Sequence, residues 1–333
     1  HQKILIVYGT EGLVVFQGGM DIREDRLHFP GPKAPWGLHD VQTRVRGTAA
    51  HALWKVFMER WSDHPSSAAY PGIFVQPSIL PKIKADLQVE VGRTYPNCAK
   101  HPLYPNNASY SFAPNGERSA RAMVLNAISQ SKRFIYIEDQ YLFDMSISDA
   151  LKAALPNISK LIILINEAAY TRDQRQTCYR RKLFIDNLTG GKQPPTDKVI
   201  VCQNRVTDKA DERVPFVHSK TFIFDDKFAI VGSANINRRG YTHDSEQSVG
   251  IFDTNKKKKF FFAHELRMNL WAKLLALRPI DLVDPIASSV HWSSPTGHIM
   301  TYTVDQQDPP LKFPENLVPK DVLWDQGLDP DGS

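Results

Sequence analysis

Cysteine is scarce here: three residues in 333, at Cys98, Cys178 and Cys202. That count leaves one without a partner and argues against a disulfide scaffold, and none of the spacings suits a metal site. No apolar run approaches the roughly 20 residues that span a bilayer as a helix; Leu161 to Ile165 has only the length of a buried strand. Strong net charge is also missing. Lys plus Arg is 41 and Asp plus Glu is 36, a balance of +5. This mild basicity suits an anionic substrate or surface without demanding nucleic acid, and no basic–aromatic stripe of the kind that binds nucleic acid is present. The one strong basic run is Lys256 to Lys259, which reads as a solvated turn before a helix. Apolar residues make up 42% of the chain, enough to bury a large core in two lobes.

The informative part is a pattern written twice. One copy is His218-Ser219-Lys220-Thr221-Phe222-Ile223-Phe224-Asp225, followed at Gly232 by Gly-Ser-Ala-Asn-Ile-Asn. The other begins at His1-Gln2-Lys3 and reaches Gly18-Gly19 seventeen residues after His1, against fourteen from His218 to Gly232. Val217 to Phe224 alternates and is rich in Phe, Ile and Thr, which predicts a strand. Residues i and i+2 of a strand share a face, so His218 and Lys220 project together, as do His1 and Lys3. Histidine can act as nucleophile or acid near neutral pH, and lysine offers a compact cation to phosphate oxygens. Two such pairs around one point are suited to attack on a phosphodiester.

The pattern H-x-K-x4-D with a downstream Gly-Ser or Gly-Gly resembles the HKD signature of the phospholipase D superfamily, which builds one active site from two copies. Residues 214–251 resemble the second HKD region of eukaryotic-type phospholipases D. The resemblance implies an α/β fold: a pseudo-two-fold pair of α/β lobes with mixed sheets flanked by helices. It implies catalytic roles for His1, Lys3, His218 and Lys220. Asp40, in Leu38-His39-Asp40-Val41, matches the carboxylate that orients the first histidine, and Glu246 the one that holds the second. Asp225 matches the structural aspartate, with Gly18, Gly19 and Gly232 as the motif glycines. Ser233, Asn235 and Asn237 are the polar groups that follow, suited to bond phosphate or orient Lys220. The segment Phe134 to Leu142 is similar to the family stretch between the copies, which makes Glu138 and Gln140 candidates for lining the site. The first copy departs from the pattern at Tyr8, which stands in the aspartate's place; Glu11 is a candidate replacement.

The implied activity is that of a phospholipase D: hydrolysis of the distal phosphodiester of a glycerophospholipid to phosphatidic acid and free headgroup, through a phosphohistidine, with transphosphatidylation when an alcohol replaces water. A nuclease or other phosphodiesterase shares the motif, and an inert lipid-binding relative is a third reading. No metal and no cofactor is implied. The expected partner is a phospholipid membrane surface, with the protein peripheral to it, secreted or cytoplasmic alike; nucleic acid is not expected. Family members carry strands and helices before the first motif. The resemblance therefore implies that the start of the N-terminal lobe is absent from this chain, supplied by the rest of the same protein or by a companion chain.

Along the chain, residues 1–95 read as the remainder of the first lobe: strand, turn, strand, a proline-rich loop at Pro30 to Pro35, strand, and a helix from Thr48 to Trp61. Residues 96–117 read as a linker or surface loop. Residues 118–283 alternate helix and strand as the second lobe, with helices at Ser119 to Ser131, Ser148 to Leu155, Thr171 to Asn187 and Phe260 to Leu277. The arginines of the third of these, Arg180 and Arg181 among them, read as a solvated face. Residues 284–333 read as an irregular strap anchored by Trp292 and Trp324.

Overall fold

The computed structural model describes residues 1–22, 38–70, 87–97, 109–166, 174–204, 216–254, 259–295 and 299–302. Pro30 to Pro35, Cys98, Lys256 to Lys258 and Trp324 lie outside them.

The first repeat opens with strands β1 (Ile4–Gly9) and β2 (Gly12–Gly18), an antiparallel hairpin with Val7 opposite Val14. After the two-residue strand β3 (Leu38–His39), strand β4 (Gln42–Val45) adds antiparallel to β2. Helix α1 (Thr48–Asp63) follows and buries Ala50, Leu53 and Val56, a helical spacing, against Leu13, Val15 and Val45.

The next elements are β5 (Leu87–Thr94), α2 (Ser119–Gln130), β6 (Phe134–Glu138), α3 (Met145–Ala154), β7 (Lys160–Ile165), α4 (Gln174–Thr189) and β8 (Val199–Asn204). There follow β9 (Phe216–Val217), β10 (Thr221–Phe224), β11 (Phe228–Gly232), α5 (Arg238–Thr242), β12 (Glu246–Asp253), α6 (Phe262–Leu275), α7 (Val290–Ser293) and β13 (Ile299–Thr301). Every one of these strands except β9, which pairs with β3, joins one large sheet. The sheet has eight strands in the order β13-β8-β7-β6-β10-β11-β12-β5, parallel from β6 to β8 and antiparallel elsewhere. The parallel strands are near-continuous Ile, Leu and Val because both faces are covered. Ile135, Ile137, Leu161 and Ile163 face α2, α3 and α4, whereas Phe134, Tyr136, Ile162 and Leu164 face α6 and α7. Full burial of each such aliphatic side chain contributes roughly 1.5–3 kcal/mol.

The two repeats are built alike. In each, an antiparallel hairpin is joined by a third antiparallel strand, β1-β2-β4 and β10-β11-β12, and a helix follows. They meet along β2 and β11, where Gln17 donates to the Val231 carbonyl at 3.2 Å and to Thr43 at 2.7 Å. The architecture is therefore the mixed α/β arrangement expected.

Several expectations need correction. His218 to Lys220 is not inside a strand. The strand breaks there, because the His218 and Ser219 amides donate to the His39 carbonyl, at 2.8 and 3.1 Å, instead of joining the main ladder. His1 to Lys3 likewise precedes β1. Strand β5, within residues 1–95, pairs with β12 at the edge of the large sheet. The C-terminal stretch is not wholly irregular, since β13 pairs with β8, and Trp292 is fully buried. Arg181 is not on a solvated face. It is fully buried and donates to the carbonyls of Gln140, Tyr141 and Asn166, at 2.6, 3.1 and 2.7 Å. Among the described residues no helix is long and apolar enough to cross a membrane.

Candidate active site

Both histidine–lysine pairs sit just before the first strand of their repeat, and each lysine folds back on its own histidine. Lys3 Nζ donates to the His1 carbonyl at 2.6 Å, and Lys220 Nζ donates to the His218 carbonyl. Lys3 also lies 3.5 Å from Asp21. Both ammonium stems are buried. Burial pushes Lys220 down to about 8, against the opposing pull of Asp40 and Asp139. It therefore carries its charge at neutral pH and loses it in mild alkali.

Each histidine has its Nδ1 on a carboxylate. His218 Nδ1 is 2.7 Å from Asp40 Oδ2, and His1 Nδ1 is 2.8 Å from Glu246 Oε1. This pairing corrects the sequence assignment, which gave Asp40 to His1 and Glu246 to His218. The partners are crossed between repeats. The reason is topological: β3 runs parallel to β9, with Leu38 opposite Phe216 and His39 opposite Val217, so Asp40 emerges beside His218. Glu246 opens β12, and the Gln2 amide donates to its carbonyl, setting His1 alongside. A carboxylate on Nδ1 fixes the tautomer and presents Nε2 to the site. Burial lowers the His218 pKa; the Asp40 hydrogen bond opposes this and the charge of Lys220 adds to it. Burial raises Glu246, against the opposing charge of His1.

The glycines permit this closeness. A Cβ on Gly19 would lie 2.2 Å from Asp40 Oδ1, and one on Gly232 would lie 2.0 Å from Ser248 Oγ. Gly18 closes β2.

Four candidate residues have other duties. Ser233 donates to Glu246, so it orients that carboxylate. Asn237 caps α5 and accepts from the Gly240 amide at 2.8 Å, which takes it away from phosphate. Glu138 does not line the site. It is fully buried, held by His39 Nε2 at 2.8 Å and the Tyr136 hydroxyl at 2.7 Å, because it lies mid-sheet opposite Thr221. Gln140 holds Arg181 through its main-chain carbonyl. Asn235 is different: it is buried, and its Oδ1 has no hydrogen-bond partner among the described residues. A buried acceptor left so suits the O–H or N–H donor of a ligand, and the Nδ2 of the same amide is its donor.

Asp225 sits in the β10–β11 turn at φ 54° and accepts the amides of Lys132, Arg133 and Phe134, at 2.7, 2.8 and 2.9 Å. It therefore ties the hairpin to β6. Glu11 is no equivalent. It makes an exposed ion pair with Arg44, 2.6 Å away, in a turn with no such row of amides.

Sequence reasoning missed Asp139 and Asn166. Asp139 is fully buried and accepts the amides of Tyr141, Leu142 and Ile236, at 2.7, 3.2 and 2.9 Å. It clamps the loop after β6 to the residue that follows Asn235. Asn166 pairs through its side chain with both main-chain groups of Val217, doing the work of a missing strand beside His218. A carboxylate or amide just past the end of an apolar strand was the available signal. Among the described residues His1, Asp244 and Glu246 bring ligand-type atoms within 4.8 Å of one another. These atoms are already engaged, His1 with Glu246 and Asp244 with Arg239 at 2.7 Å.

A family model described as the PLD-like domain of cardiolipin synthase matches residues 124–261. Phospholipase D alpha 1 of Carica papaya is 25% identical over 404 aligned positions, covering 86% of this chain and 50% of that protein. The major cardiolipin synthase ClsA of Bacillus subtilis is 27% identical over 264 positions, covering 78% of this chain and 46% of that one. These matches support a phospholipase D superfamily member. The chain spans about half the length of these curated relatives. Among solved structures, the phosphatidylserine synthase of Haemophilus influenzae aligns with a TM-score of 0.46 and 13% identity, over 87% of this chain and 62% of that one.

Proposed function

We propose that this site hydrolyses the distal phosphodiester of a glycerophospholipid, releasing phosphatidic acid and the free headgroup. The observation that carries this reading is the crossed pair of dyads, His1 on Glu246 and His218 on Asp40, each beside a buried lysine. In the first step one histidine Nε2 attacks phosphorus. The headgroup oxygen leaves with a proton from the other imidazole, and a phosphohistidine forms. In the second step that imidazole takes a proton from water, the hydroxide attacks phosphorus, and the phosphorus–nitrogen bond breaks. Lys3, Lys220 and the Asn235 amide stabilise the equatorial oxygens, where preorganised donors are worth most.

By resemblance His1 is the nucleophile. The near-symmetric arrangement of the two dyads allows the reverse order as well, with His218 as nucleophile. Rapid quenching with phosphorus-labelled lipid, followed by peptide mapping, identifies the phosphorylated histidine.

The same intermediate can pass its phosphatidyl group to an alcohol, and the cardiolipin synthase relative makes that outcome worth measuring. The full-length protein is assayed on phosphatidylcholine and phosphatidylethanolamine vesicles, with and without added glycerol, beside His218→Ala. Headgroup release that the variant loses by at least about 10³-fold supports the reading. A folded protein that releases nothing from either lipid but cleaves single- or double-stranded DNA supports a nuclease instead.

A further inference from the structure

We infer that His39 and Glu138 form a buried positioning pair that sets the His218–Asp40 dyad. The inference rests on the catalytic reading of His218 and extends it to two residues that touch no substrate. Both are essentially removed from solvent, His39 at 3% and Glu138 at 0%. Placing an ionisable pair there is costly and is weak evidence for stability alone, so the geometry around it is the informative part.

Three ties hold the backbone and ring of His218, and all run through two consecutive residues of the first repeat. The amides of His218 and Ser219 both donate to the His39 carbonyl. The His218 ring bonds Asp40, the next residue. Residues 38–40 include the two-residue strand β3, which pairs only with β9 among the described strands. The His39 imidazole is what fastens them to the main sheet, through Glu138 at the end of β6. The Ser219 side chain, in contact with Thr221 at 2.7 Å, also favours the ionised form of Glu138. One carboxylate thus holds the His39 ring, and through it the carbonyl that receives the His218 and Ser219 amides. The Tyr136 hydroxyl fixes the remaining oxygen. Burial opposes the ionised form of Glu138, but the charge of His39, its hydrogen bond and the Ser219 and Tyr136 side chains outweigh it and hold the carboxylate below its ordinary range. The grip is that of an anion. Replacing Glu138 by Gln removes the charge and one of the two acceptor oxygens that His39 and Tyr136 share, while leaving the shape.

The test uses the full-length protein with Glu138→Gln, His39→Gln and the apolar pair His39→Leu/Glu138→Leu. Near-UV circular dichroism establishes that each is folded. Turnover of phosphatidylcholine is measured, and the His218 ring is followed by nitrogen-15 NMR across its titration. The expected result is a fall in kcat of about 10- to 100-fold, the scale seen when an orienting partner is lost, with KM within about twofold. The His218 titration midpoint and tautomer signature are displaced. The apolar pair keeps the fold, because a well-packed apolar replacement of a buried pair is often tolerated, yet it shows the same loss. Native kcat and an unchanged His218 titration in any folded variant would overturn the inference. If the native protein turns over no phospholipid, the functional reading fails, while the NMR arm still decides whether the pair sets His218.

Discussion

Lys220 shows the conflict at this site in one residue. Its side chain is 1% exposed, and burial has pushed its pKa to about 8 from 10.5. Between those values the unfolded chain binds more protons than the native one, so this group makes stability rise with pH from about 8 to 10.5. Below 8 the full penalty is present, about 3 kcal/mol for a shift of that size. Lys220→Met is therefore expected to be inactive and yet more stable by roughly 1–3 kcal/mol at pH 7. Urea unfolding checks this, and the gain over the native protein shrinks as the pH is raised towards 10. The same titration predicts an alkaline limb in the rate near 8, as Lys220 loses its charge. The acid limb lies below the ordinary histidine range, because His218 is depressed. The histidines and lysines could be read from their spacing alone. The duties of Asn237 and Ser233 could not, since both follow from which main-chain groups happen to lie within reach.

At the scale of elements, the β10–β11 hairpin is tied to β6 by one side chain. Asp225→Ala leaves three amides without their acceptor and places alanine at positive φ. A loss of roughly 2–4 kcal/mol is expected, measured by thermal unfolding. Activity per folded molecule is retained, because the catalytic groups lie at the other end of β10. The continuous apolar runs of β6, β7 and β8 and the helical period from Thr48 onward were legible in the sequence. The start of α3 was set earlier than apolar pattern indicates, at Asp144, whose side chain accepts from the Ser146 amide at 2.9 Å. The alternation of Leu87, Val89 and Val91 marks a strand, but its place beside β12 depends on a neighbour far along the chain. The break at His218 was hidden for the same reason: what replaces the ladder there is the His39 carbonyl and the Asn166 amide.

At the scale of the whole molecule, the two repeats complete one another. Asp40→Asn is expected to displace the titration of His218 and leave that of His1, and Glu246→Gln to do the reverse. Histidine NMR reads both; a response within the same repeat would reject the crossed geometry. The pairing also has a kinetic consequence. Asp40 and His218 are 178 residues apart, and His1 and Glu246 are 245 apart. Contacts of such high order form only after the intervening chain has given up its loop entropy. Each hairpin can close locally and early without either imidazole being held. During refolding, secondary structure and core fluorescence should therefore recover before the two dyads are assembled, so a partly folded chain carries all of its chemical groups without their paired arrangement.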